Sequence, residues 1–224
     1  MESKLIKKIE SINLLDIKFL VKIFSNKKSL FRIYQNYFLK KYGNKAFGKC
    51  IEIGSTKINN SKRFLLNTSQ FISSNIIKNE AELILDVTNM ESIDSNSIDS
   101  IVAVSVIEHV YNINACFDEI KRVLKPDGTV LITVPFGFPL HDNIDYYRLS
   151  PDFFFECFKD CKKVEIIKFG GLFSVIINSL QRPSGKLSKR YLIYKLVGFF
   201  IGLIGLKLDR NDGYPLGLGV IIEK

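Results

Sequence analysis

The run Ile101-Val102-Ala103-Val104-Ser105-Val106-Ile107 is almost continuously apolar and mostly β-branched. A strand of that kind is covered on both faces of its sheet. After Asn112 the period lengthens: Phe117, Ile120 and Leu124 share one helical face, with Asp118 and Arg122 on the other as an i,i+4 pair. Asn112 or Asn114 supplies the N-cap. Pro126-Asp127-Gly128 stops this helix and turns the chain into a second buried strand, Thr129 to Val134. Two buried strands joined by one helix make a right-handed βαβ unit in a parallel sheet. The rest of the chain is organised around this stretch, Asp99 to Pro135.

Upstream, Leu5, Ile9, Ile12, Leu20, Phe24, Leu30, Ile33 and Phe38 recur at helical spacing with a lysine-rich opposite face. The pattern breaks near Ser25-Asn26 and predicts two helices packed on the sheet. Gly48 to Gly54 reads as the first strand, Phe71 to Asn75 as the second and Ala81 to Asp86 as the third. The polar segment Ser55 to Thr68 between the first two predicts a loop with one short helical turn. Beyond Val134 comes an aromatic, proline-rich loop without period. Ser150-Pro151-Asp152 then starts a helix, with a cap, a proline at the first helical position and an acid in the first turn. Lys163 to Phe169 and Leu218 to Glu223 are the last two expected strands. Between them, at about 172–212, lie two glycine-punctuated apolar segments.

At 224 residues the chain suits one α/β domain with additions. Its net charge of +9 sits in two places. Residues 1–45 carry eleven Lys/Arg against Glu2, Glu10 and Asp16, and residues 182–195 carry five with no acid. Such patches suit an anionic partner, lipid headgroups or nucleic acid. Cys50, Cys116, Cys157 and Cys161 lack zinc-like pairing, so free thiols in a reducing compartment and no metal are expected. The chain opens Met-Glu-Ser-Lys with no signal-peptide pattern. The longest apolar run, Leu196 to Leu206, is about half the roughly 20 residues that span a bilayer.

Two stretches carry a family resemblance. IDSIVAVSVIEHVYNINACFDEIKRVLKPDGTVLITVPF is similar to the strand ending in Glu-His and the Glu-Ile-x-Arg-Val-Leu-Lys-Pro-x-Gly helix of class I S-adenosylmethionine-dependent methyltransferases. His141-Asp-Asn-Ile-Asp-Tyr-Tyr-Arg-Leu-Ser-Pro is close to a loop of their type-11 branch, met among glycan and secondary-metabolite enzymes. The similarity runs from Cys50 to about Gly171. It implies a Rossmann-like class I methyltransferase fold: a mainly parallel seven-stranded sheet with an antiparallel last strand and helices on both faces. Residues 46–224 would form that domain, with a helical insert at about 172–212, and residues 1–45 a basic helical extension.

The resemblance also implies S-adenosyl-L-methionine as cofactor and assigns positions to it. Glu52, Gly54 and Ser55 stand where the family ends its first strand in an acid and a Gly-x-Gly-x-Gly loop. Only Gly54 of the three glycines is kept, and the side chain of Thr56 replaces close backbone approach. Asn75 takes the place of the acid that holds the ribose hydroxyls. Asp86 would meet the adenine amino group and Val87 the ring, with Ser105 and Glu108 on the far side. His141 is the candidate base, and Asp145, Tyr146, Tyr147 and Arg148 form the substrate wall. The expected activity is O-methylation of a small or glycan-linked acceptor by a cytoplasmic protein, peripheral at the anionic inner face of the membrane. A catalytically silent scaffold is the second expectation, favoured by the altered loop and Asn75. A nucleic-acid methyltransferase ranks third, since no Asn-Pro-Pro-Tyr-like motif is present.

Overall fold

The computed structural model describes residues 5–14, 16, 28–181, 189–208 and 213–224. In chain order its elements are β1 (Ile6–Ile12), α1 (Leu30–Tyr42), β2 (Phe47–Ile53), β3 (Asn67–Asn75), β4 (Leu83–Ile84), β5 (Ile98–Val104), α2 (Ile113–Val123), β6 (Leu124–Pro135), α3 (Pro151–Cys157), β7 (Lys163–Phe169), α4 (Leu172–Gln181), α5 (Lys189–Leu208) and β8 (Gly217–Glu223). The strands form one sheet in the order β4-β3-β2-β5-β6-β8-β7-β1. All neighbours run parallel except around β8, which is antiparallel to both β6 and β7. This is the Rossmann-like class I methyltransferase arrangement, with one strand added.

The added strand corrects the sequence reading. Ile6–Ile12 is not helical: it pairs parallel with β7 along its whole length. Its apolar Ile6 and Ile9 remain about half exposed, so the spacing marks an edge strand and not the face of a buried helix. Lys8, bonded to the buried carboxylate of Glu165 at 3.1 Å, fastens that edge. The second predicted helix does form, as α1, capped by Ser29 accepting from Arg32 N at 3.2 Å. The expected break at Ser25-Asn26, and Arg182 and Lys186 of the basic cluster, lie outside the described residues.

The central unit follows the pattern closely, with two adjustments. Asn112 caps α2, accepting from Ala115 N at 3.3 Å. The helix ends at Val123, and Pro126 to Gly128 form a bulge within β6, where the β5–β6 register shifts between Ile98 and Ser100. Arg122 reaches Glu119, not Asp118, which pairs with Lys121 instead. Both faces of the sheet are covered, as its near-continuous apolar strands require. Ile101, Ala103, Val130 and Ile132 pack with Phe117 and Ile120 of α2 and Phe154 of α3, and Val102, Leu131 and Phe169 pack with Tyr34 and Phe38 of α1. Between β2 and β3 the chain makes only a loop with one 3₁₀ turn, Lys62–Phe64. The third strand is two residues long, shorter than AELILD suggested.

Candidate functional site

The carboxyl ends of β2, β5 and β6 open under α1 into a cleft of about 590 Å³. That is within the range of small-molecule sites. Gly54 forms its floor: its φ of +67° is one that side chains rarely adopt, and a Cβ there would lie 2.4 Å from Val106 Cγ2. Ser105, at the end of β5, also sits in the left-handed region, with φ +54°. It is held by Gln35 of α1, which donates to Ser105 Oγ at 2.6 Å and Thr133 Oγ1 at 2.9 Å. Strain fixed by surrounding bonds is a mark of functional sites. Arg32, Arg63 and Lys28 give the wall a cationic side, opposed by Glu52 and Asp142.

Glu52 stabilises the shortened β2–β3 loop from within. Its buried carboxylate accepts from Ser61 N at 2.6 Å and Ser61 Oγ at 2.8 Å. Burial outweighs these bonds and pushes its pKa up to about 7. The unfolded chain ionises this group near 4.5, so the fold favours the protonated acid. Its contribution is complete below about 4.5 and is lost as pH rises to 7. At 1.36 kcal/mol per unit the loss approaches about 3 kcal/mol. In urea unfolding, the wild-type midpoint should fall relative to Glu52→Gln between pH 5 and 8. Parallel midpoints would contradict this.

The other predicted cofactor positions divide. Gly54, Ser55, Ser105 and Glu52 line the cleft, but Asn75, Asp86 and Val87 do not. Asn75 accepts from Ile77 N at 3.0 Å and donates to Ser55 O at 3.4 Å, which ties its amide to the loops before and after β3. Asp86 accepts from Thr88 N and Oγ1 at 2.8 and 2.7 Å, and Val87 is part of the core.

The loop after β6 arrives on the cleft with His141 and Asp142. Its frame is Asp145, which takes both terminal nitrogens of Arg148 at 2.5 and 2.6 Å and the backbone N–H of His141 at 3.1 Å. Arg148 foremost, with desolvation opposing, brings Asp145 down to about 2. Arg148 also bonds the carbonyls of Phe138, Pro139 and Tyr147, and Tyr147 Oη donates to Tyr111 O at 2.7 Å. Three of the four residues read as a substrate wall thus hold the loop together; Tyr146, half exposed, is the one with surface to offer.

Under His141 lies Glu108, fully buried, neither carboxylate oxygen having a hydrogen-bond partner of normal geometry. Desolvation raises its pKa to about 8. The rings of His109 and His141 meet edge-on with centroids 5.0 Å apart. The sequence marked His141 and Glu108 separately, but their meeting with His109 and Asp142 in one cluster was not expected. Gln35, Arg32 and Arg63 were missed entirely, because nothing in their local pattern separates a cleft-facing polar residue from a solvated one.

Residues 53–132 match the family model described as a methyltransferase domain, type 11. No curated protein sequence matches the chain. Among solved structures, a SAM-dependent methyltransferase from Archaeoglobus fulgidus is 14% identical, covering 93% of this chain and 100% of that one at a TM-score of 0.56. Phosphoethanolamine N-methyltransferase 2 from Haemonchus contortus is 19% identical over 85% of this chain, with a TM-score of 0.54; the match spans 52% of that enzyme's chain. Geranyl diphosphate C-methyltransferase from Streptomyces coelicolor is 12% identical, covering 85% of this chain and 77% of that one, at a TM-score of 0.54.

Proposed function

We propose that this chain, a class I S-adenosylmethionine-dependent methyltransferase, places the methyl on an oxygen of a small or glycan-linked acceptor. The observation that carries this reading is the meeting of Gly54 and Ser105 with His141 in one cleft. Methyl transfer is an in-line displacement at an activated sulfonium carbon, and the cofactor brings that activation with it. The protein's share is to align the acceptor and remove a hydroxyl proton. Gly54, Ser55 and Ser105 would hold the cofactor over the ends of β2 and β5. His141, on the loop after β6, is placed to manage that proton. Lys28, Arg32 and Arg63 suit an acceptor that carries phosphate or carboxylate.

On α5, Leu196, Phe200, Ile204 and Leu208 repeat every four residues and are each more than half exposed. No helix among the described residues is long and apolar enough to cross a membrane. Such a stripe would suit contact with a bilayer surface, and that contact would bring the cleft to lipid-linked acceptors. The test is incubation with S-adenosylmethionine and a set of free and lipid-linked hydroxylated acceptors. The expected product is a methyl ether. Methylation found only on nitrogen or carbon would overturn the reading.

A second reading, a silent scaffold on the same fold, is favoured by Asn75 and Asp86 spending their polar atoms on neighbouring backbone and side chains. Cofactor binding separates the two.

A further inference from the structure

We infer that Glu108, His109, His141 and Asp142 form a binding site for a divalent transition-metal ion at the acceptor end of the cleft; the role given to that ion rests on the methyltransferase reading. One ligand atom from each of Glu108, His109 and His141 lies within 4.8 Å of the others. Asp142 closes the set. Glu108 Oε1 is 3.9 Å from His109 Nε2 and 3.7 Å from His141 Nε2. Asp142 Oδ2 is 3.7 and 3.9 Å from the same two nitrogens. A cation at the centre of four donors with such sides would lie about 2.3 to 2.7 Å from each. A closure of a few tenths of an ångström per donor then reaches the ~2.0–2.2 Å of metal–imidazole and metal–carboxylate bonds. Asp142, three-quarters exposed, is free to make that move.

The way the two imidazoles are held suits a cation. His109 Nδ1 contacts the Ile144 carbonyl, which only accepts, so Nδ1 is the donor there and Nε2 is the nitrogen left to the cluster. His141 Nδ1 lies 3.0 Å from Asp145 Oδ2, though not in line for a hydrogen bond, and Arg148 keeps Asp145 ionised. Both Nε2 atoms lie within 4 Å of carboxyl oxygens of Glu108 and Asp142. Two imidazole nitrogens and two carboxyl oxygens gathered in this way are a donor set of the kind that holds a cation. Glu108 sharpens the demand, because it is fully buried and its oxygens have no hydrogen-bond partner of normal geometry. The outer contacts, carbonyl on His109 and carboxylate on His141, are those that orient metal-bound imidazoles.

Two imidazoles and carboxylate oxygen suit zinc, iron(II) or cobalt(II) better than magnesium or calcium. His141 and Asp142 belong to the cleft wall, so the open side of the ion faces the acceptor. An acceptor hydroxyl bound there becomes more acidic and loses its proton to water. Its oxygen pair forms the new O–C bond, the C–S bond of the sulfonium breaks, and sulfur keeps that pair as a neutral thioether. With the ion in place, His141 acts as a ligand, and the ion performs the acidification.

The probe is cobalt(II), titrated into the full chain stripped with chelator and followed by its visible absorption, with zinc competing. One equivalent should bind with d–d bands and be displaced by zinc. Glu108→Gln and His109→Asn should each weaken binding at least a hundredfold. Thermal melts and S-adenosylhomocysteine titration of both variants establish that the fold and cleft survive. No binding to the wild type, or equal binding to folded variants, overturns the site. If the wild type binds S-adenosylhomocysteine but no cobalt, only this inference falls. Cobalt binding without S-adenosylhomocysteine binding keeps the site and removes the methyltransferase reading instead.

Discussion

His141→Ala is expected to lower turnover by about a hundredfold to ten-thousandfold, the usual range for removing a group that manages a proton. Affinity for S-adenosylhomocysteine should stay within about threefold of wild type. The separation follows from position. His141 stands on the loop after β6, across the cleft from Gly54 and Ser55. Its backbone N–H, the link to Asp145, survives the substitution, so the loop keeps its frame. Packing lost against Phe138 is confined to one edge-on ring contact. Single-turnover rates together with calorimetric binding measure the two quantities apart. Unchanged turnover would remove His141 from the mechanism.

The second large effect is at Gly54. Gly54→Ala must hold a side chain at φ +67° and place its Cβ 2.4 Å from Val106 Cγ2. The backbone strain alone costs about 1–3 kcal/mol. The clash displaces Val106 or the β2–β3 loop, and both border the place proposed for the cofactor. A loss of more than tenfold in S-adenosylhomocysteine affinity is expected, with a lower melting temperature. Adding Val106→Ala should restore the part due to crowding and leave the part due to φ. Wild-type affinity in the single variant would mean that the floor of the cleft is not a binding surface.

Much of this architecture could be read from alternation and caps. The continuous apolar runs of β5 and β6 mark strands covered on both faces, and Asn112 and Ser150 cap the helices they precede. The first dozen residues misled because Leu5, Ile9 and Ile12 fall at helical spacing, and a half-exposed edge strand lacks strict alternation. The site was legible only in part. The likeness of sequence motifs pointed to Gly54, Ser105 and His141, which the fold brings to one cleft beyond the carboxyl ends of the strands, where open α/β sheets bind ligands. It also pointed to Asn75, Asp86 and Arg148, whose polar atoms are taken up by nearby protein groups. A motif gives residue types at a spacing, and the partner that claims each polar atom is decided by tertiary contacts. The four-residue cluster around Glu108 was invisible for the same reason: adjacent Glu108 and His109 and adjacent His141 and Asp142 come from loops far apart in sequence.

Calorimetric titration of the purified chain with S-adenosylhomocysteine tests the central claim most directly, that a cleft reduced to one glycine still holds an adenosyl sulfonium. Saturable one-to-one binding in the micromolar range, about −8 kcal/mol, is the predicted result. Absence of heat and of any thermal shift at about millimolar ligand, where even −4 kcal/mol would register, would contradict it.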